Sequence, residues 1–322
     1  MKTLFKKKTW LVAGALAFVW IAFCVVDGIV SIEYALHPYR LSVTQEDQER
    51  AREIAMRNHA KLASVSIAAE DGTLLRGWAM RPREGNNDVV LLLHGMGYNR
   101  ASMLGYADML LQHGFSVLLP DARAQGSSGG TLATFGVMES ADLKRWYDWI
   151  ERWMQPNCVD GMGESMGAGQ ILDALKEIPE MCAVVAESPY ATFRQAAYDR
   201  LGQEFGTGPW VGRTVMRPAV TAAFLYARLR YGVDLNKASP EKSVATSHVP
   251  VLLIHGREDR DLPPRHSEMM KAANHAVALW EPRDAGHTGA STAEPRAFER
   301  HVVGWFVAHH VEPEVPMTQE AQ

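Results

Sequence analysis

The sequence predicts an α/β domain with a mainly parallel sheet covered by helices on both faces, and three observations carry that reading. Continuous apolar runs, among them DVVLLLHG, FSVLLPD and VPVLLIHG, alternate with segments of helical periodicity. A strand with one exposed face would alternate polar and apolar residues, so these runs must be buried on both sides, as in a parallel sheet packed between helices. The residues of chemical interest fall just after the runs, where such sheets carry their ligand-binding loops. Finally, 322 residues at 47% hydrophobic composition are enough to fill one large core or two small ones.

The elements follow in order. Lys2, Lys6, Lys7 and Lys8 precede an uncharged run from Trp10 to Val26 that ends at Asp27. As a helix this run reaches about 25 Å, and the following GIV extends it towards the ~30 Å of a bilayer core. Residues 10–30 are therefore expected to be a transmembrane signal anchor, with Trp10 and Trp20 suited to its interfaces. The basic residues 1–9 keep the N-terminus cytoplasmic and place the rest of the chain on the far side of the membrane. Cleavage and secretion are the alternative, although no small-x-small site follows the run.

Residues 31–60 read as a connector, helical and polar in TQEDQERAREIAMRNHA, and residues 61–311 as the folded domain. SVSIAAEDGTLLRGWAM gives two strands around the Asp71-Gly72 turn, a strong hairpin signal. After DVVLLLHG comes a helix closed by Gly114, then FSVLLPD and the long helix VMESADLKRWYDWIERWM. In that helix Trp146, Trp149, Ile150 and Trp153 form a core-facing stripe, while Glu139 and Asp142 suit the dipole at its start. NCVDGMGES, a helix from Met166 to Glu177, and CAVVAES follow. Residues 192–246 break the rhythm with Phe193, Phe205, Trp210, Phe224, Tyr226 and Tyr231. A helical cap insertion over the site is expected there, against extra helices packed on the sheet. VPVLLIHG, a helix near Pro264 to Asn274, AVALWEP and a last helix from Pro295 to His309 complete the domain. His309 and His310 read as an exposed helix end without metal ligands, and the polar residues 312–322 as a disordered tail.

A formal net charge of -4 and no basic block in the body exclude a nucleic-acid partner. Cys24 belongs to the anchor, whereas Cys158 and Cys182 each open one of two consecutive strands. If those strands are parallel neighbours the two form a disulfide in an oxidising compartment; otherwise they are small buried hydrophobes. No metal-type cysteine spacing occurs.

The chemistry centres on DGMGESMGAG, Asp160 to Gly169. Gly161, Gly163 and Gly167 admit a phosphate-binding loop with Glu187 as its acid, but several strands precede this one. The other reading is G-x-S-x-G between a strand and a helix, Gly163 to Gly167, which thrusts out Ser165 as a nucleophile on a strained turn. A serine hydroxyl needs a base, and the base an orienting acid. Downstream, Asp259 and Asp261 follow one strand and His287 the next. His94, His255 and His266 are rival bases, the first two in HG turns of structural type. The oxyanion needs donors, and the N–H groups of Met166 and of Met96, set between Gly95 and Gly97, are placed for it.

HGMGYNR, LLPDARAQGSSGG, GESMGAG, ESPYATF, LLIHGREDRDLPP and DAGHTG resemble the α/β-hydrolase superfamily, over about Ser64 to His310. More narrowly they resemble the membrane-anchored or secreted bacterial serine hydrolases of the Bem46-like group, related to acylaminoacyl-peptidase-type folds. The resemblance implies an α/β-hydrolase fold, Ser165 as nucleophile, Asp259 as acid in HGxxDxxxP, His287 as base, and Met96 and Met166 as oxyanion donors. The mechanism expected of such a set needs no cofactor, and no metal site is expected. Asp261 is then left to cap the helix entered through Pro263 and Pro264. Gln125 departs from the family pattern, where histidine is common, in a turn taken as structural.

The expected activity is cleavage of carboxylic esters or thioesters through an acyl-enzyme. Cap aromatics favour a small-molecule substrate with an apolar acyl chain, and Arg213, Arg217, Arg228 and Arg230 suit anionic groups such as lipid heads. A peptidase or amidase of the same fold is the alternative, and a non-catalytic surface binding protein a more distant one.

Overall fold

The apolar runs of the folded domain become strands of one eight-stranded sheet in the computed structural model, which describes residues 2–310; the tail expected to be disordered at 312–322 lies outside the described residues. The chain begins with α1 (Lys2–Leu36) and α2 (Gln45–Arg57), followed by β1 (Ala60–Ala68), β2 (Leu74–Pro82) and β3 (Val89–Leu93). Next come α3 (Leu104–Gln112), β4 (Ser116–Pro120), α4 (Glu139–Met154), β5 (Val159–Glu164), α5 (Met166–Ala174) and β6 (Val184–Glu187). Four helices precede the next strand: α6 (Phe193–Glu204), α7 (Pro209–Arg213), α8 (Arg217–Tyr231) and α9 (Pro240–Thr246). The chain continues with β7 (Val251–Ile254), α10 (Arg265–Ala273), β8 (Ala278–Trp280), α11 (Ala290–Ala293) and α12 (Pro295–Ala308).

The strands lie in the order β1-β2-β4-β3-β5-β6-β7-β8. The hairpin β1–β2 joins β4 antiparallel, and from β4 to β8 every pairing is parallel. Alternate residues feed the two faces, as the period of a strand requires. Val89, Leu91 and Leu93 of β3 pack with Trp146 and Ile150 of α4 and Ile171 of α5. Val90 and Leu92 pack on the other side with Leu104 and Leu110 of α3 and Phe298 and Phe306 of α12.

Several local expectations change in three dimensions. In α4, Trp146 and Ile150 are buried and Trp149 packs against them, but Trp153 is 64% exposed, so the core stripe ends a turn early. Glu139 and Asp142 are buried rather than simply facing the helix dipole. Glu139 accepts from the Thr134 and Gly136 N–H groups, and Asp142 takes both Nε and Nη2 of Arg123, at 2.6 and 2.7 Å. His310 is half-buried and bonds Asp88 at 2.7 Å, so the helix end is not free. Cys158 and Cys182 stand at the starts of the parallel neighbours β5 and β6, with Cα atoms 5.8 Å apart, and form a disulfide. Of the two alternatives open in the sequence, the crosslink is the one present.

The α1 helix runs past the boundary expected at residue 30, to Leu36. Its Thr9–Leu36 portion is long and apolar enough to cross a membrane by length and composition. Its second half is packed on α6 and α8, within the segment where a cap is expected: Cys24, Ile32 and Leu36 are buried in a cluster with Phe193, Met216, Ala219, Ala223, Phe224 and Ala227. Val244 of α9, by contrast, belongs to the core of the sheet.

Candidate active site

The turn from β5 to α5 has to reverse the chain in one residue, and that residue is Ser165, with φ 51° and ψ -112°. This left-handed φ is strained for a side chain bearing Cβ. The neighbours make room for it. A Cβ on Gly163 would lie 2.5 Å from the Gly167 carbonyl, and one on Gly167 2.4 Å from the Leu93 oxygen. Only glycine fits at either position. The strain is held by the Ser165 N–H, which donates to Glu187 O at 2.8 Å, and by the Ser165 carbonyl, which accepts from Gly169 N at 3.1 Å.

Ser165 Oγ lies 2.8 Å from His287 Nε2, and His287 Nδ1 lies 2.8 Å from Asp259 Oδ2. A carboxylate only accepts, so Nδ1 carries the proton and Nε2 is left to accept from the serine hydroxyl. His287 sits in the loop after β8. That loop is pinned to the end of β6 by Thr288 N–H to Ser188 Oγ at 3.1 Å and Ala290 N–H to Glu187 Oε1 at 2.9 Å.

Asp259 follows β7, and its Oδ1 accepts from the N–H groups of Asp261 and Leu262 at 3.0 and 2.9 Å. Burial alone would raise its carboxyl, but hydrogen bonds from His255 and His287 outweigh burial and hold it well below the ordinary range. For His287 burial pulls the imidazole down, and the Asp259 bond and charge more than restore it, leaving it above its ordinary value.

The rival residues have other tasks. Asp261 turns out to Arg200 at 3.4 Å and caps nothing, because α10 begins from Pro264 without a side-chain cap. The capping of that turn falls to Asp259 instead. His94 is fixed between Gly95 O and the Ala122 N–H, and His266 between Asp199 and the Ala191 N–H. His255, expected to be only structural, touches the site: its Nε2 lies 2.7 Å from Leu262 O and 3.3 Å from Asp259 Oδ2, while Nδ1 meets Ser267 Oγ at 2.7 Å. The carbonyl fixes the proton on Nε2, so His255 is a second donor towards Asp259.

Met166 is the first residue of α5, where helix N–H groups lack internal partners. Among the described residues no acceptor takes the N–H of Met166 or of Met96. Gly97, at φ +80°, is different: its N–H donates to Gln125 Oε1 at 2.7 Å. Gln125 Nε2 also meets Met166 Sδ at 3.4 Å, so this fully buried residue bridges the loop that carries Met96 and the start of α5. The departure at Gln125 thus bears directly on the site, contrary to the reading of its turn as merely structural. A Cβ on Gly95 would be in ordinary contact, 3.6 Å from Ser165 Cβ, so glycine is not sterically required there.

The family model described as the alpha/beta hydrolase family matches residues 90–301. The chain belongs to the alpha/beta hydrolase family. It is 27% identical to the protein YqkD of Bacillus subtilis over 243 residues, 73% of this chain and 76% of the relative. Its fold is similar to that of the Pyrococcus furiosus esterase Pf2001, with a TM-score of 0.67 at 23% identity over 86% of this chain and 100% of the esterase. It is also similar to the Pyrococcus horikoshii acylaminoacyl peptidase, with a TM-score of 0.60 at 17% identity over 80% of this chain and 43% of the peptidase. These likenesses concern the fold, and with the family they support a hydrolase.

Beside the site of this alpha/beta hydrolase lies a largely buried group that motif reading missed, formed by Tyr106, Glu187 and the half-buried Glu164. Tyr106 Oη stands 3.4 Å from Glu164 Oε2 and 3.2 Å from Glu187 Oε2, and Glu164 Oε1 accepts from Gly95 N–H at 3.4 Å. Burial, reinforced by the neighbouring Glu164 charge, pushes Glu187 up to about 7, and burial raises Glu164 as well. In the sequence Glu187 had a role only in the phosphate-loop reading. Among the described residues, the grouping of ligand-type atoms within 4.8 Å of one another is Asp88, Cys158 and His310. It offers no metal site here, because the Cys158 sulfur is committed to Cys182.

Proposed function

We propose that the chain is a membrane-anchored serine hydrolase that cleaves carboxylic esters or thioesters through an acyl-enzyme. The observation that carries this reading is the Ser165–His287–Asp259 chain, two contacts of 2.8 Å ending at a serine on a strained strand-to-helix turn. His287 Nε2 takes the Ser165 proton as Oγ attacks the acyl carbonyl, and Asp259 stabilises the imidazolium that forms. The Met96 and Met166 N–H groups receive the oxyanion. His287 then gives its proton to the leaving group, and water, activated by the same nitrogen, releases the acyl chain.

Ester or thioester is preferred because the cap packs Phe193 between Phe135 and Phe224, with centroids 4.0 and 5.9 Å away, in the apolar cluster that includes Met166. Amide cleavage is the second reading, since the same arrangement serves both bonds and an acylaminoacyl peptidase shares the fold. Labelling with a fluorophosphonate tests the mechanism: wild type reacts and Ser165→Ala does not. An unlabelled wild type would point to a binding protein on a hydrolase fold. p-Nitrophenyl esters of rising chain length beside peptide anilides then separate ester from amide cleavage.

Membrane anchoring rests on α1, and an extracytoplasmic domain on the lysines before it together with the Cys158–Cys182 disulfide, which suits an oxidising compartment. Retention of α1 rather than its cleavage is supported by the burial of Ile32 and Leu36 in the cap. Digestion of the domain by protease added to spheroplasts is the expected result; complete protection refutes this topology.

A further inference from the structure

The α1 helix and the cap helix α8 lie side by side in parallel. Cys24 and Gly28 sit at Ala219, where a Cβ on Gly28 would come within 2.2 Å of the Ala219 oxygen. Farther along, Glu33 accepts from the hydroxyls of Tyr226 and Tyr231 at 2.6 and 2.7 Å, and His37 meets the Tyr231 ring at 5.6 Å. The buried Ala219, Ala223 and Ala227, four residues apart, form the small-residue face that lets the two backbones approach.

Elements packed in parallel share a level along the common axis. The start of α8 and the turns before it are therefore level with the last part of the apolar run of α1. The end of α6 is there too: Phe205 stacks edge-on against Phe23 at 6.3 Å, and Glu204 is close enough to Asp27 for their charges to interact. Asp27 ends the apolar run, and Phe23 lies about 6 Å before it along the helix. The cap exposes large apolar side chains at this level, Phe205 at 44%, Trp210 at 69% and Val215 at 43%. Arg217, exposed at the start of α8, accompanies them, whereas Arg213 turns inward to the buried Asp199 at 3.9 Å.

We propose that the tip of the cap, from Phe205 to Arg217, is seated in the interface of the bilayer that α1 crosses. Phe205 and Trp210 enter the boundary between headgroups and acyl chains, and the exposed Arg217 reaches up to lipid phosphates along its apolar stem. The acidic pair Asp27 and Glu204 marks the water boundary and keeps the immersion shallow, within the ~5–10 Å typical of interfacial elements. Exposed Phe, Trp and Val on one edge of the cap, continuous with a lipid-facing helix, have no aqueous role that offsets their exposure. The inference rests on reading α1 as a membrane span.

The test uses the full-length chain with Cys24→Ala and the disulfide intact, in phosphatidylcholine–phosphatidylglycerol vesicles. One nitroxide label is attached at W20C, F205C, W210C or W153C, and its collisions with oxygen, which prefers lipid, are compared with those of a water-soluble nickel chelate. At W20C, F205C and W210C oxygen should dominate, and at W153C, at the opposite end of the domain, the order should be reversed. If F205C and W210C behave like W153C while W20C remains in lipid, the seating of the cap is refuted and the anchor stands. If W20C also behaves like W153C, the anchor reading itself fails and the cap proposal falls with it. Trp210 is largely exposed, so W210C keeps the test decisive even if F205C unfolds, as an unchanged thermal midpoint will verify.

Discussion

At the scale of single residues, the site is a chain of proton positions whose consequences have signs. Asp259 raises His287 above its ordinary imidazole value, and only neutral His287 accepts the Ser165 proton. Esterase kcat/KM should therefore be lost as pH falls through that raised value and level off above it. In Asp259→Asn the partner that raises His287 is gone, so the midpoint should move down while the plateau drops by about 10⁴-fold, the cost of a misdirected tautomer in a triad of this type. A pH–rate profile of both proteins with a p-nitrophenyl ester checks both statements. The glycines divide as sharply. Gly167→Ala forces a Cβ to 2.4 Å from a backbone oxygen and should cost at least ~1–3 kcal/mol, whereas Gly95→Ala meets only ordinary contacts and should stay within about 0.5 kcal/mol. Urea unfolding of the two variants gives the comparison.

At the scale of elements, what matters is how the ends of neighbouring strands hold one another. The His287 loop hangs on the end of β6 through Ser188 and Glu187, and Glu187 is a buried acid pushed up to about 7 from an unfolded value near 4.5. A raised acid binds more protons folded than unfolded, so its contribution to stability falls as pH rises from about 4.5 to 7. Glu187→Gln keeps the acceptor for Ala290 and removes this loss. The difference in unfolding free energy between variant and wild type should therefore grow in the variant's favour across that window. Gln125→Leu acts in the facing loops: it releases the Gly97 N–H without removing either candidate donor. Its kcat should fall on the order of tenfold with KM little changed, less than the ~10²–10³ lost with an oxyanion donor itself. The parallel strands were legible in the sequence because β3, β4 and β7 are buried on both faces and run apolar almost without a break, while β1 and β2 were legible from the turn between them. Ser165, Asp259 and His287 were legible because residue type, order and placement after strands coincide. Gln125, Glu187 and His255 were not, since each acts through partners that the fold alone brings near. Asp261 shows the converse: its spacing suited a helix cap, but Arg200 on α6 draws its carboxylate away.

At the scale of the whole molecule, the helix that hydropathy singles out as a separate span is packed into the helices between β6 and β7. Its last turns bury Ile32 and Leu36, the Leu36 carbonyl accepts from Ala133 N–H at 2.9 Å, and Arg40 just beyond bonds the carbonyls of Ala124, Ser128 and Gly130. The same segment passes beside the candidate oxyanion loop, with Tyr39 O 3.9 Å from where a Gly97 Cβ would stand. None of this was readable from hydropathy, which treats the run as an isolated span. Two truncations separate the roles. Removing residues 2–22 takes away most of the apolar run but leaves the contacts of Cys24, Gly28, Ile32 and Leu36, so the domain should keep its thermal midpoint in detergent. Removing residues 2–36 strips the partner from Ala219, Ala223, Phe224 and Ala227. The burial of Ile32 and Leu36 contributes on the order of 1.5–3 kcal/mol each, so the midpoint should drop by several degrees and the bared cap should self-associate. Thermal unfolding and light scattering of the two proteins decide the matter. Equal stability of both truncations would mean that α1 serves only as an anchor, and that a cleaved, secreted form is structurally viable.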